Sequence, residues 1–331
     1  MSDRKPKLLN GSHPADIAEA AALLAAGRLV ALPTETVYGL GADATNEAAV
    51  RAIFEAKGRP SNNPIIVHVA DAVAARELTT GWNARAEALA AEFWPGPLTL
   101  VLPAGQGIAA SVLAGGRTVG VRVPDHPVAL ALLRAVGKPI AAPSANRSNR
   151  LSPTTAAAVL DTLDGLIDAV LDGGACAVGI ESTVVDVSGD EVVVLRPGMI
   201  SEAMIEAALL KAGVGGRSGF GRDDQATDTL TAAEVFRSPG MFPRHYAPGI
   251  PLVVVDEVGD VTVDDFVIGV GGQSRARRIL LPEDPAGYAT GLYAALRTAE
   301  LSGASRIVLE RPPSTPEWAA IHDRLGRAAA K

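Results

Sequence analysis

Two periods of apolar residues alternate along this chain. Residues 14–27, PADIAEAAALLAAG, put a proline at a first helical position, follow it with an alanine-rich interior and close on a glycine, which predicts a helix. RLVAL follows as a short buried strand. NEAAVRAIFEAKG then predicts a second helix, with Val50, Ile53 and Phe54 on one side and Gly58 as its stop. PIIVHVA predicts another buried strand. The alternation continues with a helix over 84–93, strands PLTLVL and TVGVRV, a helix over 127–136, strand PIAA, a helix over 154–163 and strand IDAVL.

STVVDVSGDEVVVLRPG breaks that rhythm, because two β-branched runs flank Ser-Gly-Asp and predict a hairpin. A mixed sheet covered by helices accommodates both patterns. The helix SEAMIEAALLKAG, opened by Ser201 with Glu202 in its first turn, closes this first unit. Residues 214–249 carry neither period: Gly, Ser, Asp and Arg lead into SPGMFPRHYAPG, which reads as a linker or a functional lid. Beyond it PLVVV, DDFVIGV, RRILL and SRIVLE predict strands, with helices over 286–301 and 317–329. This is a second, smaller α/β unit of roughly 80 residues, enough to fold.

Composition narrows the picture. At 331 residues and 48% hydrophobic the chain buries a large core, filled mainly by alanine and valine. A net charge of −7 and a pI near 5.3 exclude a broad nucleic-acid footprint, though not a local basic cleft. Cys176 is the only cysteine, so an internal disulfide and a thiolate metal cluster are both excluded, and it reads as a small buried hydrophobe near a Gly-Gly turn. The opening residues lack the apolar run of a secretory leader, and no window offers about 18 uninterrupted apolar residues; a cytoplasmic protein is expected.

The chemistry lies in polar residues set against apolar strands. In TVGVRV the alternation puts Val119, Val121 and Val123 on one face and Thr118, Gly120 and Arg122 on the other. Taken alone, such an arginine faces solvent, and His68 in PIIVHVA is a structural histidine. Their companions alter that reading: PTET after VAL, KGRPSNNP before IIVHV, PSANRSN after IAA, and RPG after VVVL. Clefts in open α/β sheets gather outside strand termini, so these clusters are expected to converge. Together they supply Lys57, Arg59, Arg122, Arg147 and Arg196, with Thr34, Asn63, Ser144 and Asn146 as hydroxyls and amides. Guanidinium forks match phosphate and carboxylate geometry, which suggests a polyanionic small ligand such as a nucleoside triphosphate. There is no Walker A sequence, HExxH or GxSxG, and GVGGRSGFG lies in the irregular segment rather than between a strand and a helix.

Seven ordered stretches resemble the Sua5/YrdC family of threonylcarbamoyl-AMP synthases: PTETVYGLGADA, KGRPSNNPIIVHV, WPGPLTLVL, VGVRVPDHP, PSANRSNRLSPT, ESTVVDV and LRPGMI. SPGMFPRHYAP is similar to the linker of the long Sua5 form. The resemblance implies a YrdC-like twisted mixed sheet with a concave cavity over residues 1–212, a linker or lid over 213–248, and a Rossmann-like α/β C-terminal domain over 249–331. It implies a reaction of ATP, L-threonine and hydrogencarbonate that gives threonylcarbamoyl-AMP and pyrophosphate. A separate tRNA threonylcarbamoyl transferase complex consumes the product.

Carried over by position, the resemblance makes Thr34, His68, Arg122, Ala142 and Ser182 threonine contacts. It makes Arg59, Asn63, Thr118, Ser144, Ser152, Arg196 and Tyr246 nucleotide contacts, with Lys57 and Asn146 as further phosphate or metal-site contacts. Mg2+ is expected with the ATP; no single general base and no metal ligand is assigned. Two positions depart from the family: it usually has glycine where this chain has Asn149, and asparagine accepts a left-handed backbone better than most residues; and leucine is common where this chain has Ile65, a swap a core tolerates. A carbamoyl transferase of related fold and a non-catalytic RNA-binding module are the competing readings. The first lacks its acylphosphatase and zinc-finger segments here, and net acidity weighs against the second.

Overall fold

The structure, a computed structural model, describes residues 5–214, 245–259, 261–270 and 277–330. Most of the expected linker, residues 215–244, therefore lies outside the described residues, as does most of GVGGRSGFG.

The first unit runs β1 (Lys7–Asn10), α1 (Pro14–Ala25), β2 (Val30–Leu32), β3 (Gly39–Asp43), α2 (Glu47–Lys57), β4 (Val67–His68), α3 (Ala72–Glu77), α4 (Ala84–Phe93) and β5 (Leu98–Pro103). It continues through α5 (Ala110–Leu113), β6 (Thr118–Arg122), α6 (Pro127–Val136), β7 (Ile140–Ala141), α7 (Ala156–Leu163), β8 (Ala169–Asp172), the hairpin β9 (Thr183–Asp186) and β10 (Val193–Arg196), and α8 (Glu202–Lys211). Local chemistry accounts for several boundaries. Asn46 caps α2 by accepting from the N–H groups of Ala48 and Ala49, and Gly58 ends that helix at φ 61°. Ser201 caps α8 by accepting from Met204 N. Asn149, standing where the family usually has glycine, adopts φ 65°.

Among the described residues these strands form one mixed sheet in the order β1-β8-β2-β3-β7-β4-β6-β5-β9-β10. Strand β2 pairs antiparallel with β3, β3 with β7, and β7 with β4, whereas β4 runs parallel to β6 and β5 to β9. One face carries the main core, including Val67, Val121 and Ala141. Cys176 packs into it, and burial pushes its thiol up to about 12, leaving an inert hydrophobe.

The second unit contains β11 (Leu252–Val255), β12 (Asp265–Val270), β13 (Arg278–Leu281), α9 (Pro285–Leu301), β14 (Arg306–Glu310) and α10 (Ala319–Ala329). Among the described residues its four strands are all parallel, in the order β11-β14-β12-β13, as a Rossmann-like unit requires. Its core does not stop at the domain boundary: Val37, Leu151, Ile180 and Tyr246 pack in one cluster with Tyr288, Leu292, Tyr293, Ile321 and Leu325. At Gly179, φ 84°, an added Cβ would lie 2.5 Å from Ala289 O, so a glycine is needed where the first unit meets α9.

Candidate active site

The register of three short strands builds the site. Val67 pairs with Val121 and Ala141, and His68 pairs with Arg122 and Ile140. Side chains of paired residues share a face and neighbours alternate, so Val67, Val121 and Ala141 point into the core while Ile66, His68 and Arg122 stand on the other side. Ala142 N donates to Ile66 O, which extends the same face into the loop after β7. Ile66, His68, Arg122 and Ala142 line a cavity there together with Thr34, Thr36, Val37, Gly39, Arg59, Pro143, Ser144, Glu181, Ser182, Arg196, His245 and Tyr246. The clusters thus converge from strand ends, as expected: His68, Arg122 and Arg196 close β4, β6 and β10, and the loops after β2 and β7 supply most of the rest. Because β3 and β7 run against their neighbours, strand ends of both senses meet over one sheet face.

At one end of the cavity Thr34 knots the turn after β2. Its Oγ1 donates to Val37 O at 2.6 Å, accepts from the N–H groups of Thr36 and Val37, and lies 2.9 Å from Thr36 Oγ1. Arg122 donates from Nη1 to Thr36 Oγ1 at 2.9 Å and from Nε to Gly96 O at 3.2 Å. Its Nη2 sits 2.5 Å from Glu35 Oε1, a contact of charges rather than an aligned hydrogen bond. Both side chains are about 5% exposed or less. His68 is neutral at physiological pH: burial first, then the Arg122 charge, pulls its pKa down to about 3. Tyr38 does not face this site; fully buried, its hydroxyl donates to Gly174 O at 2.7 Å.

The other end is cationic. Gly58 turns the chain so that Arg59 donates to Asn63 O at 3.2 Å and Pro64 O at 2.8 Å. Burial, with Arg196 adding repulsion, lowers its pKa to about 9, which leaves it charged at neutral pH. Arg196 donates from Nε to Ser182 O and from Nη2 to Ser182 Oγ, both at 3.1 Å, while Thr99 Oγ1 lies 2.8 Å from the same hydroxyl. Lys57 is buried and donates to the carbonyls of Ser144 and Asn146, tying α2 to the loop after β7. Burial foremost, then Arg59 and Arg147, holds its pKa well below the usual lysine value.

Most residues expected at the site are brought together. Thr34, Arg59, His68, Arg122, Ala142, Ser144, Ser182, Arg196 and Tyr246 all line the cavity. Asn63, Lys57 and Asn146 support it from behind, and Ser152 donates to Glu181 at 2.6 Å. Thr118 is the exception. It shares the face of Arg122 but starts the same strand, about 13 Å away at 3.3 Å per residue, and lines a separate depression with Asp186, Ser188 and Val193. Arg147 donates to Ala56 O and is absent from the lining. Sequence reasoning missed Thr36, Glu181 and His245, each inside a stretch singled out for its neighbours. His245 is buried with Nδ1 unpartnered, and burial first, then the Arg59 and Lys57 charges, sets its pKa at about 3.

Among the described residues no group of three or more His, Cys, Asp or Glu is arranged to hold a metal, and no helix is long and apolar enough to cross a membrane. A mixed sheet with cationic and hydroxyl side chains gathered over one face is the architecture of the YrdC-like class. The family described as telomere recombination, Sua5/YciO/YrdC, matches residues 22–198, and that described as threonylcarbamoyl-AMP synthase, C-terminal domain, matches residues 200–330. The chain is 42% identical to threonylcarbamoyl-AMP synthase of Bacillus subtilis, covering 95% of this chain and 92% of that protein. It is 38% identical to the Pyrococcus abyssi enzyme of that name over 94% and 93% of the two chains. The solved structure of Pyrococcus abyssi Sua5 complexed with L-threonine superimposes with a TM-score of 0.86 at 35% identity, covering 98% of this chain and 97% of that one. The chain belongs to the Sua5/YrdC family, in its two-domain, ATP-dependent threonylcarbamoyl-AMP synthase form.

Proposed function

We propose that this cavity condenses L-threonine, hydrogencarbonate and ATP into threonylcarbamoyl-AMP and pyrophosphate. The observation that carries the reading is the pairing of two polar centres on one sheet face: Arg122 with His68 and Thr34 at one end, Arg59 with Arg196 and Ser182 at the other. Arg122 receives the threonine carboxylate, with Thr34, His68, Ala142 and Ser182 around the rest of the amino acid. Arg59, Ser144, Arg196 and Tyr246 hold the nucleotide, with Asn63, Ser152, Lys57 and Asn146 behind them. The apolar strip of Ile66, Val101, Val184 and Leu195 leads away from Arg122 along the face that also carries Thr118. Thr118 shares that face and is kept among the nucleotide contacts as the member furthest from the cavity.

The reaction needs no protein nucleophile. The threonine amine attacks the hydrogencarbonate carbon as the free base, the new C–N bond replacing a C–O bond whose oxygen leaves as water with the amine's proton, and an oxygen of the resulting carbamate attacks the α-phosphorus as the bond to pyrophosphate breaks. Each step concentrates negative charge between the two centres, so catalysis rests on positioning and on fixed cations. A neutral His68 fits beside an amine that must stay unprotonated. Glu181 is committed to other side chains, and the unpartnered carboxamide oxygens of Asn63 and Asn146 are hard-oxygen ligands. This set fits Mg2+ carried in on ATP phosphates rather than held in a protein cage, and the ion supplies charge neutralisation there. The product would pass to a tRNA threonylcarbamoyl transferase complex, in keeping with a cytoplasmic enzyme.

The test is mass spectrometry of a reaction containing the protein, ATP, magnesium, L-threonine and labelled hydrogencarbonate, with each substrate omitted in turn. Labelled threonylcarbamoyl-AMP is expected only in the complete mixture. Its absence from rapidly quenched samples of folded, ATP-binding protein overturns the reading.

A further inference from the structure

Glu181 is a carboxylate in a cavity assigned to a triphosphate, where an unbalanced negative charge repels the ligand. What balances it comes from the other domain. Arg324, on α10, donates from Nε to Glu181 Oε2 at 2.7 Å and is itself 1% exposed. Tyr293, on α9, donates its hydroxyl to the same carboxylate at 3.0 Å, and Ser152 donates at 2.6 Å to the other oxygen. The Arg324 guanidinium also lies over the ring of Tyr246, 5.1 Å from its centre, and is anchored in turn by Asp323 at 2.6 Å. Burial alone raises the Glu181 pKa, but the charges of Arg324 and then Arg196 outweigh it and hold the carboxyl at about 2. The carboxylate is therefore ionised whenever the enzyme works.

We propose that Arg324 is a positioning residue of the nucleotide site, through which the C-terminal domain neutralises Glu181 and fixes Tyr246 as the wall of the phosphate cavity. The proposal rests on the nucleotide reading of the cavity and adds a function for the second domain. Arg324 is not among the residues that line the cavity; it acts through two residues that are. Its effect falls on the nucleotide and not on threonine, because Glu181 and Tyr246 accompany Arg59 and Arg196, whereas Arg122 is balanced separately by Glu35.

The experiment measures ATP affinity by calorimetry, and the KM values for ATP and threonine, in the full chain carrying Arg324→Met, Arg324→Met with Glu181→Gln, or Tyr293→Phe. Arg324→Met is expected to weaken ATP binding about tenfold or more while the threonine KM moves less than about twofold. Adding Glu181→Gln is expected to recover most of that loss, since the repelling charge is gone, and Tyr293→Phe to shift ATP affinity in the same direction by a smaller factor. ATP affinity unchanged in Arg324→Met overturns the proposal. So does a parallel loss of ATP and threonine affinity that Glu181→Gln does not rescue, which marks a purely structural pair. Should Arg324→Met fail to fold, Tyr293→Phe decides: an ATP affinity equal to the parent's overturns the proposal. Parent protein that binds no ATP removes the nucleotide reading itself, an outcome distinct from an ATP-binding parent that its variants match.

Discussion

Replacing Arg122 by methionine separates stability from activity at one residue. In the folded protein Glu35 and Arg122 form a buried pair at 2.5 Å, and the carboxylate oxygens have no other hydrogen-bond partner. Removing the guanidinium strands a buried carboxylate, a change that costs about 3–5 kcal/mol. For a unit of this size each kcal/mol moves the melting temperature by about 2–4 °C, so Arg122→Met should melt roughly 10 °C below the parent. The same substitution removes the partner proposed for the threonine carboxylate, worth about 2–5 kcal/mol of binding, so kcat/KM for threonine should fall at least about thirtyfold. Adding Glu35→Gln removes the stranded charge and should return most of the melting temperature, yet none of the turnover. Differential scanning fluorimetry and steady-state kinetics on the two variants decide the matter. If Arg122→Met kept its threonine kcat/KM, or if the double variant regained stability and turnover together, the assignment of two separate duties to this arginine would be refuted.

Two further predictions follow from the site's surroundings. His68 and His245, each with pKa about 3 in the folded protein, bind no proton where an unfolded histidine, near 6.5, already does. Stability is therefore fully present above that value and falls by about 1.4 kcal/mol per pH unit for each ring as the solution is acidified toward pH 3; a melting temperature flat between neutral pH and pH 5 would contradict it. At Gly198, in the RPG turn after Arg196, an added Cβ would lie 2.3 Å from Thr183 N and 2.8 Å from Ser182 C. Backbone cannot yield as a side chain does, so Gly198→Ala should cost at least about 1–3 kcal/mol and reduce turnover by displacing Ser182 and Arg196; unchanged melting and kinetics would show that the turn adapts.

Much of this architecture was legible in the chain. The helical period located α4 and α6, and the Ser-Gly-Asp break located the β9–β10 hairpin. Strands β1 and β3 were not foreseen, for different reasons. β1 is a short exposed edge strand with only Leu9 buried, which gives no apolar run to detect. β3, GLGAD, reads as a turn because of its glycines, yet a Cβ at Gly41 would lie 2.7 Å from Leu32 Cδ2; the glycine is there so that two strands can pack. PIIVHVA contributes only Val67–His68 as strand. The candidate site was legible as a set of residue types but not as a geometry, since the sharing of a face by His68, Arg122 and Ala142 depends on register between distant strands. Arg324 carried no signal at all. An arginine in AAIHDRLGRAA reads as part of a solvated helix face, and only domain docking buries it against a glutamate from the first unit.

The order of the sheet also bears on how the protein comes into being. Lys7 pairs with Ala169, and Leu98 with Thr183, so neighbouring strands are widely separated in the chain. Such non-local pairings must close long loops before any contact repays the lost entropy, which places folds of this kind toward the slower end, roughly milliseconds to seconds. The cavity has no local nucleus of its own. Arg122 gains its neighbour His68 early in synthesis, but Ser182 and Arg196 arrive only with the hairpin, and Arg324 after the whole second sheet. A nascent chain on the ribosome thus assembles this cavity in stages, the sheet face first and the partner that neutralises Glu181 last, in the step that docks the final helix.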